Sequence, residues 1–227
     1  MTNEIPGPLA AEEVRILGCL IEKGIATPDI YPLTLNSLVN ACNQSSNRDP
    51  VMSLSEGVVS RALDSLRDKG LAVLFKGADS RVPKYAHKFA ANDSDLGPPE
   101  IAVVCELLLR GPQTVGELRG RAGRLHPFAS LEEVQSVLDA LSVRPVGSLV
   151  VKLPRQMGQK EQRYAHRLSG TPAPTEAPAP PPRAETPTAL AEPENDRVPR
   201  LESEFAALRS EVEQLKRDFA AFRQQFE

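Results

Sequence analysis

Tryptophan is absent from this sequence, and aromatic residues of every kind make up only 4% of its 227 residues. Any core it builds must come from Leu, Val, Ile and Ala. Cysteine is scarce too: Cys19, Cys42 and Cys105 lie far apart, form no CxxC pair and are odd in number, which argues against a disulfide framework. Each falls in an apolar helical pattern, as buried reduced thiols do. No apolar run approaches the length of a membrane span. The opening MTNEIPGPLAAEE has neither a basic n-region nor an apolar h-region. A cytoplasmic protein with no membrane partner is expected. An excess of positive charge is also missing. The net charge is -3, with 20 basic against 19 acidic residues up to Arg167 and 7 against 11 from Leu168 onward. Charge therefore permits DNA binding without arguing for it. There is no phosphate loop, dinucleotide fingerprint, nucleophile elbow or pair of metal-binding histidines. Neither cofactor nor metal is expected, and the chain reads as a protein that is not an enzyme.

Proline is plentiful, at 21 residues, but unevenly spread: nine fall between Pro172 and Pro199. That clustering marks residues 169–197 as a flexible, disordered Pro/Ala linker. The part before it is internally repeated. Lys84-Tyr85-Ala86-His87-Lys88 returns as Arg163-Tyr164-Ala165-His166-Arg167. Ala62-Leu63-Asp64-Ser65-Leu66 returns as Val137-Leu138-Asp139-Ala140-Leu141, and Thr34-Leu35-Asn36-Ser37-Leu38 as Thr114-Val115-Gly116-Glu117-Leu118. The end of the first helix, Glu22-Lys23-Gly24, corresponds to Leu109-Arg110-Gly111. The offset changes only in loops, where insertions are tolerated. Four ordered matches argue for a duplicated unit.

Each unit reads as three helices and a hairpin. In the first, Val14, Leu17, Cys19, Leu20 and Ile21 predict a helix closed at Gly24. Thr34 caps a second with the stripe Leu35, Leu38, Val39 and Cys42. Ser55 caps a third, with Val59, Leu63 and Leu66 at i, i+4 and i+7, ending at Gly70. Strands are expected over 71–75 and 82–87. The second unit predicts helices over 101–110, 114–123 and, capped by Ser130, 131–143 with the stripe Val134, Val137, Leu138 and Leu141. Its strands are expected over 148–153 and 162–168. Three helices followed by a hairpin is the winged helix-turn-helix order. The expected fold is α+β, mainly α: two tandem winged-helix domains over 1–96 and 97–168, the linker over 169–197 and a C-terminal coiled-coil helix over 198–227.

The segments Arg15 to Lys23 (RILGCLIEK), Thr27 to Asn36 (TPDIYPLTLN) and Ala41 to Val51 (ACNQSSNRDPV) resemble those of the YceH-like family of bacterial proteins with tandem winged-helix domains. The likeness covers about Leu9 to Leu168. It implies the fold, but no reaction and no ligand. The Pro/Ala linker and terminal helix lie outside the core of this family.

A winged helix lays its third helix in the major groove. Here the outward residues are Glu56, Ser60, Arg61, Asp64, Arg67 and Asp68. Arg61 is the candidate for a guanine contact and Ser60 for a phosphate, while Glu56 and Asp64 oppose the DNA charge. The first wing groups Lys76, Arg81, Lys84 and Lys88 around one Asp79; the second has Lys152, Arg155, Lys160, Arg163 and Arg167 against Glu161. The DNA-binding candidates are thus Ser60, Arg61, Arg67, Lys76, Arg81 and Lys84, and double-stranded DNA is the candidate partner. The alternative is a protein-interaction scaffold. Between the second and third helices runs an unusually long polar connection. Asn43, Gln44, Asn47 and Arg48 read either as contacts to phosphate or a partner, or as caps that shape the turn. His87 and His166 occupy equivalent places and read as inherited sheet residues rather than metal ligands.

From Val198 the apolar residues follow strict heptads, with Val198, Phe205, Val212, Phe219 and Phe226 at a and Leu201, Leu208, Leu215 and Phe222 at d. Glu204, Glu211 and Asp218 at g face Arg209, Lys216 and Arg223 at e of a parallel partner. A homo-oligomer through this helix is expected.

Overall fold

In the computed structural model, which describes residues 7–75, 82–89, 96–145, 147–155 and 161–170, the chain is a mixed α+β protein with two small antiparallel sheets. Helix α1 (Ala11–Ala26) leads through a 3-10 turn at Pro28–Ile30 to the two-residue strand β1 (Leu33–Thr34). Then come α2 (Leu35–Cys42), α3 (Glu56–Asp68), β2 (Ala72–Phe75) and β3 (Lys84–His87). The order is repeated by α4 (Pro98–Arg110), α5 (Val115–Ala122), α6 (Leu131–Ser142), β4 (Val150–Lys152) and β5 (Tyr164–His166). The first sheet runs β1-β3-β2, with Leu33 opposite Tyr85 and Phe75 opposite Lys84. In the second, Val150 faces His166, and a single bridge from Gln113 to Tyr164 stands where β1 stands in the first.

Local signals account for most boundaries. Thr34 Oγ1 accepts from the Ser37 amide at 3.2 Å, and Ser130 Oγ from the Glu133 amide at 3.2 Å. Thr114 and Glu117 cap each other reciprocally, at 3.2 and 2.9 Å. Ser55 stands at the N-cap of α3 without a side-chain cap bond. Gly70, at φ +71°, follows α3 as a left-handed stop. Gly24 does not act this way. Helix α1 runs through it to Ala26, and Thr27 closes the helix by donating its amide to the Lys23 carbonyl at 3.0 Å. Gly24 instead makes room: a Cβ there would lie 3.4 Å from both His87 Nε2 and the Tyr31 ring.

The expected stripes face inward: Val59, Leu63 and Leu66 on α3, and Val134, Val137, Leu138 and Leu141 on α6, are all buried. On α2, Leu38 and Cys42 are buried with Ala41, while Leu35 and Val39 are half-buried. Helices α1 and α4 go beyond amphipathic stripes. Glu13 to Glu22 are buried without a break, as are Ala102 to Leu109. A helix against one core shows an apolar face and a polar one; these two are covered all round because each packs on the other as well as on its own repeat. Gly18 lies at the crossing, where its missing side chain lets Leu108 and Leu109 approach, and Cys105 Sγ donates to the Gly18 carbonyl at 3.4 Å. Buried residues of both repeats therefore form one apolar cluster. The amide of Leu9 donates to the Leu168 carbonyl at 2.7 Å, joining the two ends of this region.

Candidate nucleic-acid interface and a buried charge network

Burying Val59, Leu63 and Leu66 turns the opposite face of α3 to solvent. Glu56, Arg61, Asp64, Arg67 and Asp68 are exposed there and Ser60 is half-exposed. Arg67 donates to Asp64 at 2.8 Å, one turn away, so much of its charge is answered on its own helix. Arg61 forms no ion pair or side-chain hydrogen bond among the described residues. Lys84 is exposed on β3 opposite Phe75, itself 49% exposed. The structure thus keeps Ser60, Arg61 and Lys84 accessible on neighbouring elements of the first half. Lys76 and Arg81 lie outside the described residues, as does the whole proposed oligomerisation set Leu201, Phe205, Leu208, Val212, Leu215, Phe219, Phe222 and Phe226.

The polar connection after α2 is largely turned inward. Asn43 bonds both backbone groups of Leu54, accepting from its amide at 2.7 Å and donating to its carbonyl at 2.9 Å, which pins the start of the connection to its end. Asn47 adopts φ 58°, a left-handed conformation that Asn tolerates better than most residues. Its side-chain Nδ2 donates to Glu22 at 3.1 Å and its side-chain Oδ1 accepts from Arg110 at 2.8 Å. Arg48, expected on a polar surface, is only 4% exposed. Its Nη2 donates to Glu22 at 2.6 Å and Gln44 at 2.9 Å, its Nη1 to Glu22 at 3.2 Å and the Asn47 carbonyl at 2.8 Å, and its Nε to the Ala41 carbonyl at 3.0 Å. All five guanidinium N–H groups are satisfied within the protein. Neither Arg48 nor Asn43 is placed for a partner; the turn-shaping reading describes them. Gln44 is half-exposed and also accepts from Lys23 at 3.4 Å.

Glu22 extends this network into the second repeat. Arg124 Nη2 donates to Glu22 at 2.6 Å and to Glu106 at 3.0 Å, bridging a carboxylate of α1 and one of α4. Glu22 and Glu106 are both buried, but their titrations diverge. Burial raises the Glu22 carboxyl; the bond and charge of Arg48, with Lys23 and Arg124, outweigh it and hold the group down to about 2. At Glu106 burial is the largest influence and the Glu22 charge adds to it; the bond and charge of Arg124 and the charge of Arg110 do not offset them, its second oxygen is unpartnered, and its pKa is raised. A sequence signal for this network existed: Arg15, Cys19 and Glu22 fall at i, i+4 and i+7 amid apolar neighbours, a polar line along an otherwise buried helix.

The second half differs from the first where DNA contact would matter. The exposed face of α6 carries Leu131, Glu132, Ser136 and Asp139 with no cation. A groove of about 590 Å³ runs beside it, lined by Val115, Leu131, Glu132, Gln135, Lys152 and Tyr164 among others. Arg163 is held by Glu117 at 2.7 Å and the Pro112 carbonyl at 2.8 Å, and Lys152 lies over the Tyr164 ring at 5.7 Å.

A family described as "Protein of unknown function, DUF480" matches residues 9–159. The chain belongs to this family. A UPF0502 protein of Opitutus terrae is 52% identical over 206 residues, covering 90% of this chain and 85% of that protein. UPF0502 proteins of Geotalea uraniireducens and Geobacter metallireducens are 54% and 55% identical over 216 and 218 residues, each covering 95% of this chain and 96% of its counterpart. The DUF480 match takes in the first repeat, the second as far as residue 159 and so short of β5, and the whole Glu22–Arg48–Arg124–Glu106 network. At 95% of 227 residues, only about 11 lie outside the last two matches, so their similarity runs well past residue 168.

Among the described residues no group of three or more His, Cys, Asp or Glu side chains is placed to hold a metal ion, and no helix is long and apolar enough to cross a membrane. His87 and His166 are half-buried at matching positions of β3 and β5. Burial lowers both pKa values, that of His166 to about 4. His166 is therefore neutral at physiological pH, as suits a sheet residue.

Proposed function

We propose that this chain is a non-catalytic tandem winged-helix protein that binds double-stranded DNA through its first half. The element order of each half supports the winged-helix reading. The observation that carries the function is Arg61: an exposed guanidinium on the open face of α3, with no acidic partner among the described residues. Such a group offers the bidentate donor pattern that reads guanine in the major groove. Ser60 lies beside it, and Lys84 supplies a phosphate contact from the hairpin. The acidic residues on α3 oppose the DNA charge and confine the contact to a short site, and the few cations engaged give it a shallow salt dependence.

Selection from a random duplex library, followed by fluorescence anisotropy on the recovered sequence, tests this reading. Arg61→Ala is expected to weaken binding to that sequence by about 1–3 kcal/mol and to relax its preference at one base position. Lys84→Ala is expected to weaken all duplexes alike and lower the salt slope by about 1. No enriched motif, together with wild-type affinity in both variants, would overturn it.

The second half supports a different contact. An exposed α6 face with Leu131 and two acids but no cation suits a protein partner better than phosphate, so the second half serves as the scaffold end of the molecule. The heptads from Val198 to Phe226 add parallel self-association, which pairs two such units on a repeated or palindromic site. Sedimentation of the full chain beside one ending at Gly170 is expected to give a dimer and a monomer at micromolar concentration. Two monomers would remove self-association from the proposal.

A further inference from the structure

Laying α6 on α3 from their first residues pairs Leu131 with Glu56, Glu132 with Gly57, Gln135 with Ser60 and Ser136 with Arg61. The hairpins pair Arg163 with Lys84 in the same way. The two cations of the first half are thus answered in the second by an uncharged serine and by an arginine already neutralised. Glu117 holds Arg163 at 2.7 Å and stands where the first half has Ser37. Gln135 is tied to the Tyr164 hydroxyl, donating at 2.9 Å and accepting at 3.2 Å, and donates to Asp139 at 2.8 Å.

The second half also has what its counterpart lacks. Leu131 is 44% exposed at the start of α6, and Glu132 is exposed where the first half has glycine. Both line the groove of about 590 Å³ between α5, α6 and the second hairpin, together with the half-buried Val115 and the exposed Glu161. The floor of this groove is set. Tyr164 is buried and bonded to Gln135, and Lys152, the only cation in the lining among the described residues, lies over the Tyr164 ring at 5.7 Å.

We infer that this groove docks a basic protein segment that carries one bulky apolar side chain between lysines or arginines. The inference rests on the reading of the second half as the scaffold end and is independent of DNA binding. Charge and shape carry it together. Glu132 on α6 and Glu161 beside β5 outnumber Lys152, so a phosphate backbone or an acidic segment is repelled while a basic one is drawn in. Leu131 and Val115 offer apolar surface for the anchor, within a groove whose polar groups are already placed. Exposed ion pairs are individually weak. They set the preference for a basic partner and its salt dependence, whereas the apolar anchor supplies most of the affinity.

The full-length chain is offered to a random peptide library displayed on phage at near-physiological salt, and a fluorescent copy of the most enriched peptide is titrated by anisotropy. The enriched peptides are expected to share Leu, Met or Phe flanked by Lys or Arg. Leu131→Ser should weaken the peptide at least about tenfold. Glu132→Gln with Glu161→Gln should weaken it at least about threefold and flatten its salt dependence. All three side chains are exposed, so unfolding midpoints should stay near wild type, and duplex binding should be the same in both variants. Enriched peptides that lack cations, or that bind the groove variants as tightly as the wild-type chain, overturn the inference while leaving a protein partner for the second half. No enriched peptide overturns both. Duplex binding weakened by the groove variants would assign the groove to DNA and overturn the inference as well.

Discussion

Replacing Arg48 with alanine is expected to destabilise the protein by about 3–5 kcal/mol, the cost of removing one partner from a buried ion pair. Both side chains of the pair are at most 1% exposed and meet at 2.6 Å. Truncation leaves the Ala41 and Asn47 backbone oxygens without their donor, Gln44 with only its longer bond from Lys23, and Glu22 with the more exposed Arg124 as its main cation. Glu22→Gln with Arg48→Met removes both charges at similar volume and should recover much of the loss. The pH dependence supplies a second reading of the same pair. The folded Glu22 pKa, about 2, lies below its ordinary 4.5. Its stabilisation is therefore fully present above about pH 4.5 and disappears as pH falls toward 2. Fully developed, the loss is on the order of 3 kcal/mol. Glu106 acts with the opposite sign. Its raised pKa means that ionisation costs stability as pH rises through the folded value, so Glu106→Gln should be tolerated far better near neutrality than Glu22→Gln. Urea unfolding from pH 7 to 2.5 checks both, with a constant m-value keeping midpoint shifts interpretable. An Arg48→Ala loss below about 1 kcal/mol would mean that the network adds nothing to the fold.

What the sequence displayed was its local physics. The duplicated order, the caps at Thr34, Thr114 and Ser130, and the inward stripes of α3 and α6 follow from spacing and side-chain type within a few turns. What it hid was the contact between repeats. Val14, Leu17, Leu20 and Ile21 read equally well as one face of a helix on a single core. Nothing local says that the other face meets α4. For the same reason Arg48 looked like a loop cation: its carboxylate is 26 residues away on α1, and the third member, Arg124, is 76 residues beyond it. Ser60, Arg61 and Lys84 could be placed on exposed positions because amphipathic period alone decides that. Their chemistry toward DNA has no such local rule, since Arg61 matters through a ligand that the chain does not contain.

Gly18→Val is expected to be at least as damaging as the loss of Arg48, because it acts where the two repeats touch. A Cβ at Gly18 would lie 2.9 Å from Leu109 Cδ2, 3.0 Å from its Cγ and 3.1 Å from Leu108 Cβ. The first atom ends a flexible side chain; the last sits against the α4 backbone and cannot swing aside. Leu109 is itself fully buried, so its rotation has no free space to enter. Gly18→Ala sets two effects of opposite sign together. Alanine in a helix interior gains about 1 kcal/mol over glycine, and overpacking costs about 1–3 kcal/mol. A net loss of about 0–2 kcal/mol follows. Valine brings two further methyl groups without further helix preference, and α4 must move away from α1. The apolar cluster common to both repeats then opens, and the loss should exceed about 3 kcal/mol. Relief by Leu109→Ala distinguishes a steric cause from a general one. Alone, that truncation costs about 2–5 kcal/mol through the cavity it leaves. Combined with Gly18→Val it supplies the space that valine needs, so the double variant should be more stable than the sum of the single losses by at least about 1 kcal/mol. Strict additivity, measured from guanidinium unfolding midpoints, would place the damage elsewhere than the α1–α4 crossing.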